Sequence, residues 1–226
     1  MSAIASTEPS GTPARLRIDF VSDVVCPWCV IGLRSLEQAL ARLQGRIEAE
    51  IHFQPFELNP QLGAEGEDIA EHLHRKYGAT PEQAARNREN IRLRGEGLGF
   101  VFRMDKRDRI YNTFDAHRLL HWAGIEGRQL ALQHALFRAY FTNGENVSDR
   151  DVLVRVATEA GLPADRARDI LASDTYAADV RAQERFFTGN GIQAVPAVIV
   201  NERHLISGGQ PPEVFESALK QIAISR

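Results

Sequence analysis

Residues 16–43 read LRIDFVSDVVCPWCVIGLRSLEQALARL, and this stretch decides the fold. Apolar and polar residues alternate over Leu16–Val21, which is typical of a β-strand. Apolar residues then recur every three or four positions over Cys26–Leu43, which is typical of an amphipathic α-helix. The sequence therefore predicts a strand that runs into a helix, with the CPWC segment of residues 26–29 at the junction.

Outward from this junction, the pattern predicts an α/β chain. A second strand is predicted over Arg46–Phe56 because apolar and polar residues alternate again. Near the end of the chain we expect strands over Ala197–Val200 and His204–Ser207, joined by a turn, and a closing amphipathic helix over Pro211–Ile222.

Roughly the middle half of the chain has helical spacing. Helices are predicted over Asp68–Tyr77, Pro81–Leu98, Thr113–Ala123, Arg128–Phe141, Asp149–Ala160, Ala164–Ala172 and Tyr176–Phe187. We therefore predict a disordered tail at residues 1–15, a discontinuous α/β domain of residues 16–60 and 189–226, and an all-helical insertion domain at residues 61–188.

Composition excludes several classes of protein. The chain has 226 residues, of which 43% are hydrophobic, and a formal net charge of −3. The apolar fraction excludes wholesale disorder, and the mildly acidic balance argues against nucleic acid or a membrane surface as partner. The first residues lack the basic start and apolar segment of a secretory signal, so we expect a cytoplasmic protein, in which nearby thiols are normally reduced.

The CPWC segment carries the strongest chemical signal. Pro27 suits the first helical turn, which places Cys26 at or near the helix N-cap. Free amides and the helix dipole favour a thiolate there, and such placements lower a cysteine pKa from about 8.5 to about 3.5–7.5. Cys29 lies one turn deeper in an apolar neighbourhood that favours the protonated thiol. We expect an exposed Cys26 to attack a disulfide and a shielded Cys29 to resolve the mixed disulfide.

Three other interpretations of the two cysteines stay open at this point. A CxxC pair is also half of a zinc site, but the chain has no further cysteine to complete one, so we predict no metal. The thiols could also be a buried inert pair, or incidental to a binding module without catalytic activity.

A second unusual feature is the proline of the segment Ala194-Val195-Pro196-Ala197, which enters an apolar strand although proline cannot donate to a sheet ladder. The residues alone leave two explanations: a cis peptide bond, or a trans proline at the start of the strand.

Five stretches together resemble one family: SDVVCPWCVIGLRSLEQAL, FQPFELNP, YNTFDAHRLLHWA, GIQAVPAVIVN and SGGQPPEVFESAL. Over nearly all of residues 16–222 the chain resembles the FrnE-like branch of the DsbA superfamily. The resemblance implies a thioredoxin fold with a large helical insertion. It also implies a thiol–disulfide oxidoreductase for protein or small-molecule disulfides, with isomerase activity left open. Val195-Pro196 would then be the cis-proline turn beside the active disulfide, with the Val195 backbone pairing with an extended substrate.

Related proteins supply an alternative function. The 2-hydroxychromene-2-carboxylate isomerases and kappa-class glutathione transferases resemble this chain in layout, but they have serine where this chain has Cys26 and activate glutathione with it. Cysteine at this position favours dithiol chemistry, with a glutathione-dependent isomerase or transferase as the alternative. By the same resemblance, glutathione would be a co-substrate held by Asn59, Val195, Gly209 and Gln210, with no tightly bound cofactor.

The proton acceptor for Cys29 is the point where the chain departs from its relatives. Thioredoxins and DsbA proteins place a buried acid six residues before the first cysteine, where this chain has Phe20. Asp19 and Asp23 flank that position, and either could accept the proton, with Asp23 preferred; alternatively both are solvated carboxylates at the strand end.

Three further expectations concern the surroundings of the two cysteines. Pro27 and Trp28, between the cysteines, are expected to tune the redox behaviour together with Asp23. The resemblance places His117 on an insertion helix that faces the cleft, so that it borders the substrate. The partner is expected to be a thiol or a disulfide, and the protein a monomer or a homodimer.

Overall fold

The computed structural model describes residues 12–225. Its strands are β1 (Ala14–Ser22), β2 (Ile47–Pro55), β3 (Glu67–Asp68), β4 (Arg109–Ile110), β5 (Ala197–Val200) and β6 (His204–Ser207). Its helices are α1 (Pro27–Arg42), α2 (Ile69–Tyr77), α3 (Pro81–Gly97), α4 (Phe114–Ile125), α5 (Gln129–Phe137), α6 (Arg150–Glu159), α7 (Ala164–Ala172), α8 (Ala177–Gly189) and α9 (Pro212–Ile224).

The main sheet has the strand order β2-β1-β5-β6. Strand β2 runs parallel to β1, and α1 forms the crossover that a parallel pair requires. Strands β5 and β6 run antiparallel to their neighbours. The register places Phe20 of β1 between Phe53 of β2 and Val198 of β5. The carboxyl end of the central strand β1 therefore delivers the chain into the start of α1.

The predicted α/β architecture, with a helical segment between β2 and β5, is confirmed, and three local features differ. The single helix predicted over Arg128–Phe141 is α5 followed by a π-helical turn at Arg138–Asn143. The small antiparallel sheet of β3 and β4 was not predicted, because two-residue strands are too short to show a period. Strand β1 begins at Ala14, within the predicted tail, of which residues 1–11 lie outside the described residues.

One continuous hydrophobic core joins the sheet to the helices between β2 and β5. It contains Ile18 of β1, Leu36 of α1, Leu119 of α4 and Leu153 of α6, all fully buried. Complete burial of such a side chain contributes about 1.5–3 kcal/mol. The division into an α/β domain and a separate insertion domain stays a prediction, and the shared core leads us to expect that both unfold together.

Among residues 12–225, no helix combines the length and the apolar character that crossing a bilayer requires.

We expect Leu119→Ala to destabilise the sheet as well as the insertion. Loss of this buried side chain should lower the free energy of unfolding by about 2–5 kcal/mol. Because the core is shared, denaturation followed by Trp28, at the start of α1, and by Trp122, in α4, should shift to the same lower midpoint. The exposed Leu205 supplies the control, since Leu205→Ala should change little. A Trp28 signal that keeps its wild-type midpoint in Leu119→Ala would contradict a single cooperative core.

Candidate active site

The predicted junction between strand and helix holds both cysteines. Cys26 is the N-cap of α1, with φ −90° and ψ 112°, and Pro27 is the first helical residue. The amide of Cys26 donates to the carbonyl of Asp23 at 3.1 Å, and the amide of Cys29 donates to the carbonyl of Cys26 at 3.1 Å. No side chain of the described residues caps this helix, and its first turn has no acidic residue. The amides and dipole of α1 are therefore left to favour negative charge on the Cys26 sulfur.

Both thiols are free, and both are buried. Cys29 is fully buried, as predicted, but Cys26 is only 3% exposed, so the expectation of an exposed Cys26 was wrong. The reason is a contact with a distant part of the chain: the Cys26 Sγ lies 3.7 Å from the carbonyl oxygen of Val195.

The two sulfurs have different electrostatic environments. Burial raises the pKa of the Cys29 thiol well above its ordinary value, and its hydrogen bond to Cys26 and the charge of Cys26 raise it further. Asp23 acts in both directions, because a backbone hydrogen bond from it lowers the pKa of Cys29 whereas its carboxylate raises that pKa. Cys29 is therefore held as a protonated thiol beside a sulfur at the positive end of a helix.

The Val195–Pro196 segment forms one wall of this site. The peptide bond between the two residues is cis, Pro196 is buried, and Val195 is half-buried. A Cβ atom on Gly32 of α1 would lie 3.0 Å from the Pro196 Cγ, so glycine permits this close approach. The carbonyl of Pro196 accepts a hydrogen bond from the amide of Gly208 at 2.8 Å.

The segment after β6 forms the adjoining wall. A Cβ atom on Gly209 would lie 2.9 Å from the carbonyl oxygen of Trp28, so this glycine packs directly on the CPWC segment. The Gln210 side chain turns back and donates to the carbonyl of Ser207 at 2.8 Å. Gly209 thus lies at the site, whereas the Gln210 amide is engaged in its own loop.

Asn59 lies in the connection that follows β2. It is buried, and its Oδ1 accepts a hydrogen bond from Lys76 of α2 at 2.8 Å. Lys76 also donates to the carbonyl of Leu58 at 2.7 Å, and burial lowers the pKa of its ammonium group. The Asn59 Nδ2 is buried without a hydrogen-bond partner among the described residues.

Sequence reasoning missed two insertion residues near the cysteines. The Arg94 guanidinium of α3 lies 5.2 Å from the centre of the Trp28 ring, within cation–π range. Partial burial, and then the charge of Cys26, raise the pKa of Tyr77 at the end of α2, although most of this side chain is exposed. Neither residue has a local motif, so only the folded chain reveals these neighbours.

Neither candidate proton acceptor is solvated, which corrects the alternative interpretation. Asp19 accepts hydrogen bonds from Arg17 at 2.8 and 3.0 Å and from Gln54 at 2.7 Å, so its partners lie on the sheet. Asp23 is fully buried, and its Oδ2 accepts from the amide of Leu58 at 2.7 Å. The Asp23 Oδ1 lies 3.5 Å from the Nε2 of His117.

His117 is buried in the interior instead of bordering an open cleft. It is 3% exposed, so a direct contact with substrate is not available to it in this conformation. The second histidine of α4, His121, stacks with Tyr176 at 5.0 Å between ring centres. In the part of the chain that the structure describes, no three histidine, cysteine or acidic side chains are grouped to bind a metal ion.

The structure thus brings Cys26, Cys29, Val195, Pro196 and Gly209 together around the start of α1, with Asp23 and His117 beneath. A sulfur at a helix N-terminus, a second protonated sulfur beside it and an adjacent backbone carbonyl can support thiol–disulfide exchange.

The sequence matches the family model of the DSBA-like thioredoxin domain over residues 17–220. The chain belongs to this family. The predicted thioredoxin fold of the DsbA superfamily, with its helical insertion, is therefore confirmed.

Similar proteins extend along almost the whole chain of this DsbA-like protein. A probable DsbA oxidoreductase from Streptomyces coelicolor is 37% identical, with a TM-score of 0.87 over 93% of this chain and 91% of that chain. The uncharacterized protein YwbO of Bacillus subtilis is 26% identical over 206 residues, which is 90% of this chain and 96% of YwbO. The cytosolic disulfide reductase DsbM from Pseudomonas aeruginosa, solved with GSH, is 17% identical, with a TM-score of 0.61 over 91% of this chain and 98% of that chain. The likeness to DsbM shows the fold alone.

We expect Gly209→Ala to disturb the CPWC segment. Its Cβ atom would meet the Trp28 carbonyl at 2.9 Å, a backbone atom that cannot rotate away. Overpacking of this kind should lower the free energy of unfolding by about 1–3 kcal/mol and shift the Trp28 fluorescence. Gly63→Ala is the matched control, because nothing lies within 4 Å of a Cβ atom there. Equal stability and equal Trp28 emission in the two variants would contradict the close packing of Gly209 on Trp28.

Proposed function

We propose that this DsbA-like protein is a thiol–disulfide oxidoreductase in which Cys26 is the nucleophile and Cys29 the resolving cysteine. The observation that carries the proposal is the placement of two free thiols at the start of α1, with the Cys26 Sγ 3.7 Å from the Val195 carbonyl. The helix end favours the Cys26 thiolate, while burial keeps Cys29 protonated.

The reaction follows from this difference between the sulfurs. The Cys26 thiolate attacks one sulfur of a substrate disulfide, forms a mixed disulfide and releases the other substrate sulfur as a thiolate. Cys29 then loses its proton and attacks the Cys26 sulfur, which closes the Cys26–Cys29 disulfide and releases the second substrate thiolate. The dithiol is oxidised by two electrons and the substrate disulfide is reduced. The reverse sequence oxidises a substrate dithiol. If another thiolate of the substrate attacks the mixed disulfide before Cys29 does, a rearranged substrate disulfide forms and Cys26 leaves as a thiolate, which is isomerisation.

The walls of the site would hold the substrate. An extended segment could pair with the exposed part of the Val195 backbone beside Pro196, as in other strand-addition complexes. Gly209 would lie along the opposite side of that segment, with Asn59, Gln210 and Trp28 around it. Pro27 fixes the first turn of α1, and Trp28, held by Gly209 and Arg94, would tune access to the sulfur.

Substrates of two sizes are consistent with this site, namely protein disulfides and small disulfides such as that of glutathione. The presence of GSH in the DsbM structure supports glutathione as a co-substrate, without a tightly bound cofactor. A cytoplasmic location is proposed with it, since DsbM is described as cytosolic and a dithiol acting as reductant requires a reducing supply.

Cysteine variants test the mechanism. With oxidised glutathione or a disulfide-bonded protein as substrate, Cys29→Ser should accumulate a mixed disulfide on Cys26, because the second step is blocked. Cys26→Ser should form none, since the buried Cys29 thiol has a raised pKa. Mass spectrometry of the trapped species gives the site of attachment. In the wild-type protein, the Cys26–Cys29 disulfide should form and be reduced reversibly, with a mass change of two hydrogen atoms.

Two results would overturn this proposal. One is a Cys29→Ser protein that forms no mixed disulfide although it is folded. The other is glutathione-dependent conversion of a small electrophile at an unchanged rate in Cys29→Ser, which would support the glutathione-dependent isomerase or transferase.

A further inference from the structure

A buried contact between Asp23 and His117 joins the loop before α1 to helix α4. Asp23 Oδ1 and His117 Nε2 lie 3.5 Å apart, and both residues are at most 3% exposed. Neither atom has a hydrogen-bond partner among residues 12–225, since the contact is too long to count as a formed hydrogen bond. Burial of an unsatisfied polar group costs about 1–3 kcal/mol, so a pair of them calls for a functional explanation.

Asp23 is connected to both cysteines. Its backbone carbonyl accepts the amide hydrogen bond of Cys26, and its carboxylate raises the pKa of Cys29. Cys29 is fully buried, so water cannot take its proton directly when it must become a thiolate. A base inside the protein is therefore required for the second step, and Asp23 is the carboxylate whose charge acts on this thiol.

The surroundings of His117 allow it to hold a proton beside Asp23. Burial by itself would lower the pKa of the imidazole, but the contact with Asp23 and the charges of Asp23 and two glutamates outweigh burial and raise that pKa. The charged and titratable groups around the pair are Cys29 on α1, Glu57 after β2, Lys76 on α2, Tyr140 in the π-helical turn, and Arg181 and Glu184 on α8. Arg181 contacts Glu57 at 3.0 Å and Glu184 at 2.7 Å, which offsets part of their charge.

A small cavity lined by His117 offers a route for the proton. Its volume is about 10 Å³, near the lower limit for one water molecule. Polar side chains of Ser22, His121 and Gln183 line it, and the His121 Nδ1 lies 3.5 Å from the Gln183 Oε1. The cavity lies between the sheet, α4 and α8.

We propose that Asp23 is the proton acceptor for Cys29, and that His117 is a positioning residue that keeps Asp23 ionised and passes its proton towards this cavity. This inference rests on the proposed oxidoreductase function. It places the proton transfer of the second step where the loop before α1 meets helix α4.

In the mixed disulfide, the Cys29 Sγ–H proton moves to the Asp23 carboxylate, while a new bond forms between the Cys29 and Cys26 sulfurs. The bond between Cys26 and the substrate sulfur breaks, and the substrate leaves with that electron pair as a thiolate. Cys29 is oxidised and the substrate sulfur is reduced. His117 then releases a proton to the cavity and accepts the one held by Asp23.

Two variants, followed with a chromogenic aromatic disulfide, test this inference. The probe is 5,5′-dithiobis(2-nitrobenzoate), which releases one coloured thiolate when Cys26 attacks and a second when Cys29 resolves the mixed disulfide. The two phases separate the steps within one experiment. His117→Gln keeps a hydrogen-bond donor without a charge, and Asp23→Asn removes the acceptor with little change in size.

In His117→Gln the second phase should slow by at least about tenfold at neutral pH, while the first phase stays close to wild type. Its pH profile should move to higher pH, because the Asp23 charge is no longer offset and raises the pKa of Cys29 further. Asp23→Asn should also slow the second phase. If Asp23 were only an unfavourable charge, its removal would instead accelerate that phase.

His134→Gln is the matched control. His134 also pairs with a carboxylate across the insertion boundary, at 2.6 Å from Glu37 of α1, but not beneath the cysteines. This variant should keep the wild-type pH profile of the second phase. An unchanged second-phase profile in both His117→Gln and Asp23→Asn would overturn the inference and leave the oxidoreductase intact. If the wild-type protein released no coloured thiolate in a first phase, the proposed oxidoreductase function itself would be contradicted.

A measurement on the wild-type protein covers the case in which a variant does not fold. NMR titration of the His117 ring should give a higher midpoint in the dithiol form than in the Cys26–Cys29 disulfide form, because the Cys26 thiolate of the proposed mechanism exists only in the dithiol form. Identical midpoints in the two forms would overturn the coupling between His117 and the cysteines.

Discussion

The proposed chemistry depends on one electrostatic arrangement, a sulfur at the N-terminal end of α1. Pro27 gives up an amide that a helix start would leave unpaired anyway, and Cys26 occupies the N-cap without a competing acidic side chain in the first turn. The parallel strands β1 and β2, with α1 as their crossover, fix this helix end at the edge of the sheet. The remaining parts of the site cover this sulfur or pack against the CPWC segment that contains it.

The two sulfurs differ in their electrostatic environment, and the proposed chemistry uses this difference. Cys29 shares the helix with Cys26 but is fully buried, and burial raises the pKa of its thiol and keeps it protonated. The Val195 carbonyl contacts Cys26 and Gly209 packs on Trp28, while Arg94 of the helical segment lies over the Trp28 ring. The helical segment therefore contributes to the surroundings of the CPWC segment, and the proposed proton acceptor contacts His117 of that segment.

Local patterns in the sequence predicted the elements well, because periodicity and proline position act over a few residues. Strand β5, strand β6 and the N-cap position of Cys26 followed from such signals. Contacts between distant segments could not be predicted in this way. Cys26 was expected to be exposed because its cover, Val195, comes 169 residues later. His117 was placed at the cleft by resemblance, whereas only the folded chain shows it buried against Asp23.

Alkylation of the two thiols as a function of pH tests the central claim most directly. Wild-type dithiol protein would be treated with iodoacetamide at mildly acidic to neutral pH, and each cysteine quantified by mass spectrometry beside an unstructured peptide containing CPWC. Cys26 should react at a lower pH than the peptide thiols, whereas Cys29 should stay unlabelled until well above neutral pH. Labelling of Cys26 no faster than the peptide at mildly acidic pH, or equal labelling of both cysteines, would contradict this claim.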